Sequence, residues 1–233
     1  MSQRKRFFKI LGLVFAVLLV LFCISLPLTR PVIEQARVRV IIDPGHGEPD
    51  GGAVGTDGTT EQELNLKIAQ KTYALFSDGT ALLTRNDSSS IYKEGSTIRA
   101  KKISDMNERV KIAQRYPDAL IVSIHMNTYP NESVHGCQVF YRDSDETSKR
   151  IAAALQQSIN EKMQPSQPKN IKPIAKNLYL FKNTDNASVL IECGFLTNAG
   201  DLKKMKDETY QEALAKLIFE SVETEMKKDG SKS

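Results

Sequence analysis

The stretch Val38-Arg39-Val40-Ile41-Ile42-Asp43-Pro44-Gly45-His46-Gly47 is where the chain declares its fold. A short apolar run that ends in Asp-Pro-Gly-His-Gly predicts a buried strand running into a loop. Working outward, residues 61–76 have the helical period, with Leu64, Ile68, Ala69, Thr72 and Phe76 toward the core. Residues 80–84 predict a second strand. Residues 86–100 are polar and predict a long loop over a site. Residues 103–115 are helical by period, ended by Tyr116-Pro117-Asp118. Residues 119–124 are the most apolar stretch of the body and predict a central strand that stops at His125. A strand over 138–141 and a helix over 144–163 follow. The tract 164–176 holds three prolines and predicts a surface loop. Strands are expected over 178–181 and 189–191, with Glu192 at the end of the second. A helix over 207–226 closes the body, and 227–233 is a tail.

Strands and helices in turn predict a single α/β domain with a largely parallel central sheet flanked by helices. Such sheets bind ligands beyond the carboxyl ends of their strands. His46, His125 and Glu192 all fall at that position.

The rest of the chain divides by composition. Residues 1–9 are a basic flank, with Arg4, Lys5, Arg6 and Lys9. Residues 10–28 are apolar except for Gly12, Ser25 and Pro27. They match the length of a transmembrane anchor or uncleaved signal, with the positive flank in the cytoplasm. Residues 29–37 read as a linker and 38–226 as the catalytic domain. This places the body outside the cytoplasm, membrane-anchored or secreted.

The net charge of +4 comes from the first 37 residues, which hold six Lys or Arg against one Glu. The body is nearly neutral, which argues against a nucleic-acid partner. Cys137 and Cys193 sit in apolar strand-like segments and are expected to pack as small hydrophobes rather than pair.

The chemistry concentrates on few residues. His46 and His125 supply two nitrogens for a metal, and Glu61 or Glu63 supplies a carboxylate near a helix start. Three protein ligands leave a position open, as in zinc hydrolases. The glycines from Gly45 to Gly58 let the intervening loop fold tightly. Glu192 is then a free carboxylate for proton transfer. Two overlapping capping boxes are also legible, Thr59 with Gln62 and, as its rival, Thr60 with Glu63, neither of which uses the Glu61 side chain. His135 lies in a turn and reads as an exposed loop residue. No nucleophile elbow, phosphate-binding loop or His-Glu-x-x-His helix is present.

Five ordered motifs resemble the zinc-dependent N-acetylmuramoyl-L-alanine amidases that cut bacterial peptidoglycan. They are Ile41 to Gly47, Gly58 to Leu66, Leu83-Thr84-Arg85, Ser123 to Asn127, and Val189 to Asn198. The resemblance implies a sheet of about six strands. It implies one zinc ion on His46, Glu61 and His125, and Glu192 as the catalytic residue. Arg85 and Asn127 become candidate substrate or supporting residues. The implied substrate is peptidoglycan, glycan strands with their stem peptides, cut between the lactyl group of N-acetylmuramic acid and L-alanine.

A closer resemblance is to the germination-specific cortex branch, which implies a part in forming muramic-δ-lactam and the forespore intermembrane space as a location; a vegetative wall amidase is the alternative. It departs from the family pattern at Glu48, Met126 and Gly136-Cys137-Gln138. A wall-sugar deacetylase is disfavoured because its usual Asp-His-His ligand set is missing. A non-catalytic scaffold is disfavoured because the site residues are intact. A protein activator and the oligomeric state are not legible in the sequence.

Overall fold

The computed structural model describes residues 38–76 and 79–230. In chain order the elements are β1 (Val40–Pro44), α1 (Glu61–Tyr73), β2 (Ala81–Leu83), α2 (Ile98–Arg115), β3 (Leu120–Asn127) and β4 (Gln138–Tyr141). Then come α3 (Glu146–Lys162), β5 (Lys172–Pro173), α4 (Tyr179–Lys182), β6 (Ser188–Phe195), α5 (Ala199–Lys206) and α6 (Glu208–Gly230).

The strands form one six-stranded sheet in the order β2-β1-β3-β6-β4-β5. β2, β1, β3 and β6 are mutually parallel, whereas β4 lies antiparallel to β6 and parallel to β5. The sheet is therefore mixed, with four parallel pairings and one antiparallel pairing, β4 with β6. The parallel part carries apolar residues on both faces, as a doubly covered sheet requires. Ile42, Val122, Ile124, Val139 and Ile191 pack under α1, α3, α5 and α6. On the other face Ile41, Ile121 and Leu190 meet Val110 of α2 and Leu180 and Phe181 of α4.

Four element readings change. Residues 178–181 lie in and beside a short helix, not a strand. Lys182 N–H donates to Leu178 O and Asn183 N–H to Tyr179 O, and the turn buries Leu180 and Phe181. A four-residue apolar run has no period by which to tell these states apart. Second, α2 begins five residues early, because the Thr97 hydroxyl accepts from Ala100 N–H and caps it. Third, β3 and β6 continue through His125 and Glu192, which pair with each other in the ladder. Last, two elements are additional: β5 lies within the expected loop over 164–176, and α5 precedes the closing helix, parted from it at Asp207, which is extended and whose carboxylate accepts from Tyr210 N–H.

The transmembrane expectation over residues 10–28 falls outside the described residues. Among those described, no helix is long and apolar enough to cross a membrane. The two longest, α2 and α6, carry Lys, Arg, Asp or Glu along their length. The transmembrane element and the membrane as a partner thus find no support among the described residues.

Candidate metal centre and catalytic carboxylate

The site begins at the end of β1. The chain leaves the sheet at Pro44, and Gly45 N–H still donates to Ile124 O on β3. His46 then takes φ 62°, a left-handed conformation costly for a residue with a β-carbon. Arg109 holds the turn, its guanidinium donating to His46 O at 2.6 Å and to Pro44 O at 2.9 Å. Arg109 is fully buried and ion-paired to both Asp43 and Asp105. Asp43 also accepts from Thr84 and Ser123 hydroxyls. Burial alone would push the Asp43 carboxyl up, but Arg109 and these hydroxyls hold it down to about 2.

The loop from Gly47 to Thr60 returns the chain to α1. Neither capping box forms, since the Thr60 side chain makes no cap bond. Glu61 N–H donates instead to Ala53 O, and Gln62 N–H to Gly51 O, so the loop backbone satisfies the helix start. This turns the Glu61 side chain into the site. One carboxylate oxygen accepts from Ala53 N–H at 2.9 Å, and the other from Met126 N–H at 3.2 Å. Asn65, one turn on, donates to Gly45 O at 3.1 Å and to Glu61 Oε1 at 3.4 Å.

Three donors converge there. Glu61 Oε2 lies 3.2 Å from His46 Nε2, and Glu61 Oε1 lies 3.0 Å from His125 Nδ1. One ligand atom from each of the three lies within 4.8 Å of the others. The far nitrogen of His46, Nδ1, lies 2.9 Å from Asp50 Oδ2, an arrangement that orients a metal-binding imidazole. Two glycines make the room. A β-carbon on Gly45 would lie 2.2 Å from the His125 ring, and one on Gly52 would lie 2.5 Å from Glu61 Oε2. Burial pulls the His46 pKa down, but Asp50 and Glu61 more than reverse this and raise it to about 9. Glu61 is shifted down: burial opposes this, and His125 and His46 outweigh it. A carboxylate with two neighbouring imidazoles is a pocket built for a cation, and the donors fit a single divalent ion such as zinc.

Glu192 sits beside this cluster without joining it. It is paired in register with His125 on one side and Gln138 on the other. Its Oε2 is buried and has no hydrogen-bond partner among the described residues. Burial pushes its pKa up, Glu61 adds to this, and the two histidines oppose it. It faces a cavity of about 390 Å³ that also contains His46, Glu61 and His125 and is walled by Met106, Leu178, Tyr179 and Phe181.

The remaining candidates are elsewhere. Arg85 is buried behind the site and donates to the carbonyls of Pro44, Gly45, Gln62 and Asp87, so it ties β1 to α1. Asn127 ends β3, its side chain accepting from Thr128 N–H. Glu63 points outward to Lys67. His135 is exposed and Cys137 and Cys193 are free thiols. Asp50, Lys102, Asp105 and Arg109 surround the centre and were not singled out by the sequence reading. Asp105 and Arg109 carried a usable signal, an acid and a base four residues apart on one helix.

A family model described as N-acetylmuramoyl-L-alanine amidase matches residues 40–224. The germination-specific N-acetylmuramoyl-L-alanine amidase of Bacillus subtilis (strain 168) is 29% identical over 201 residues, covering 85% of this chain and 81% of that protein. The amidase LytC of the same organism is 30% identical over 195 residues, 83% of this chain, but this chain spans only 36% of LytC. Among solved structures, the CwlD amidase from Clostridioides difficile, in complex with the GerS lipoprotein, superposes with a TM-score of 0.76 at 35% identity. That match covers 81% of this chain and 98% of the other. Because the matched span takes in β1 through most of α6, and the metal-ready cluster lies within it, the chain belongs to the N-acetylmuramoyl-L-alanine amidase family and is an enzyme of the zinc-hydrolase kind.

Proposed function

We propose that the chain hydrolyses the amide between the lactyl group of N-acetylmuramic acid and L-alanine, with Glu192 as the proton carrier and His46, Glu61 and His125 as the zinc ligands. The observation that carries this reading is the buried, unpartnered oxygen of Glu192 beside the three-donor cluster. When bound, zinc polarises a carbonyl and acidifies a water. Glu192 accepts the proton of the attacking water as its oxygen bonds to the lactyl carbonyl carbon. The C–N bond then breaks, and Glu192 returns the proton to the alanine nitrogen. Burial suits Glu192 to both halves, since it raises the affinity of the carboxylate for the proton it must hold between them. Asp50 keeps the Nδ1 proton of His46 and leaves Nε2 facing the ion position. The substrate lies outside the cytoplasm, so the same reading places the working enzyme there.

The test is direct. The zinc-loaded chain is incubated with defined muropeptides and the products are weighed. Free stem peptide with unmodified sugar supports the amidase reading; released acetate indicates a deacetylase, and unchanged substrate a scaffold. Glu192→Gln is expected to lower turnover by about 10²–10⁴-fold while zinc content stays at that of wild type. Loss of zinc in that variant would count against the proton-carrier role.

The finer role is in spore cortex, supported by the similarity to the germination-specific relative along 81% of its length. Spores that lack the enzyme should lack muramic-δ-lactam. Normal lactam content would point to a vegetative wall role instead.

A further inference from the structure

On the same sheet face as Glu192, a second groove of about 380 Å³ runs toward the β4–β5 edge. It is lined by Asn127, Gln138, Phe140, Lys169, Lys172 and Phe195 among others, and none of its lining residues is acidic. The register shows how it joins the metal centre. His125, Glu192 and Gln138 form one row across β3, β6 and β4. Leu190, Phe140 and Lys172 form the next row across β6, β4 and β5. Residues paired in a ladder share a face, so Lys172 stands on the site face, one row below Glu192.

The two lysines are differently held. Lys169 Nζ donates to Gly136 O at 2.8 Å and lies 5.1 Å from the centre of the Phe195 ring, which fixes its ammonium at the groove wall. Lys172 is exposed, and among the described residues it makes no ion pair. Asp201, an acid behind the groove, is buried and spends one oxygen on Gly136 N–H and Phe195 N–H. Gln138, cross-strand from Glu192, is an amide and adds no charge. The groove is thus a cationic arm of the active site.

We infer that this arm is the subsite for the stem peptide, with Lys172 and Lys169 receiving its carboxylates. This rests on the amidase reading above. Charge decides which side of the substrate enters. The only carboxyl of the muramic sugar is consumed in the amide to be cut, so the sugar side offers no anion. The peptide side ends in a carboxylate and includes an acidic residue. An acidic peptide is therefore the partner that complements two lysines and no acid, and the neutral glycan lies on the other side of Glu192.

Binding and turnover are measured separately, on the whole chain. The stem peptide alone is titrated into the zinc-loaded protein, in parallel with the same peptide amidated at its carboxylates. The acidic peptide should bind about fivefold more tightly, the scale of one exposed ion pair. Lys172→Gln should collapse that ratio toward one, and Lys172→Arg should restore most of it. Rising salt should erode the preference in the wild type. Equal affinity for the two peptides, or a preference untouched by Lys172→Gln, overturns the inference. A preference that survives in a protein unable to cut muropeptides upholds the cationic arm and sinks only the amidase reading.

Discussion

At the scale of single residues, the centre depends on side chains that are missing as much as on those present. Gly52 has φ 69°, and a β-carbon there would crowd Glu61 and His46. Gly52→Ala is expected to weaken metal binding by more than about tenfold while circular dichroism is unchanged, since the added atom displaces two ligands rather than the core. Gly58→Ala is the control. Its φ of 87° is also left-handed, but nothing lies within 4 Å of its β-carbon, so strain alone should not move metal affinity. Asp50→Asn should cost about 10–100-fold in affinity by releasing the His46 ring. Competition with a chromogenic chelator reads all three, and unaltered affinity in Asp50→Asn would remove Asp50 from the site.

At the scale of elements, the ends of β1, β2, β3 and α2 are joined by the Asp43–Arg109 pair and its hydrogen bonds. Arg109→Met leaves two buried carboxylates without their cation and should cost about 3–5 kcal/mol. The acid limb follows from the Asp43 pKa. That value is lowered from 3.8 to about 2, so the contribution is complete above pH 4 and is lost as pH falls toward 2. Its size is about 2 kcal/mol, at about 1.4 kcal/mol per pKa unit. Denaturation midpoints of wild type and Asp43→Asn should therefore converge between pH 4 and pH 2. A constant difference across that window would mean Asp43 does not titrate as the ion pair requires.

Across the whole molecule, one face of the sheet is sealed by α1, α3, α5 and α6, and the other is covered by α2 and α4, with the catalytic cavity and the lysine groove on that second side. Function sits where the cover is thinner. The sealed side holds Cys137 and Cys193, both buried, and burial pushes Cys137 up to about 12 and Cys193 up as well. A protonated, enclosed thiol is inert. Alkylation followed by peptide mapping should label neither in the native protein and both only once denaturant unfolds it. Early labelling of Cys137 alone would show that the β4 end opens locally.

The sequence by itself determined most of the strand–helix alternation, the place of His46, His125 and Glu192 toward the carboxyl ends of β1, β3 and β6, and the loop glycines between His46 and Glu61, because periodicity and backbone freedom are local properties. Its choice of Glu61 over Glu63 came from resemblance. The structure gives a physical reason: Ala53 and Gly51 carbonyls take the helix-start amides, and Glu61 turns inward while Glu63 meets Lys67. Only the tertiary structure decided that β4 runs against β6 and that residues 178–181 wall the cavity as a helix. It alone paired Asp50 with His46 and brought Arg109 under a turn 63 residues away in sequence. Each of these depends on partners distant in the chain, and a four-residue apolar run or a single aspartate carries no record of what it will touch.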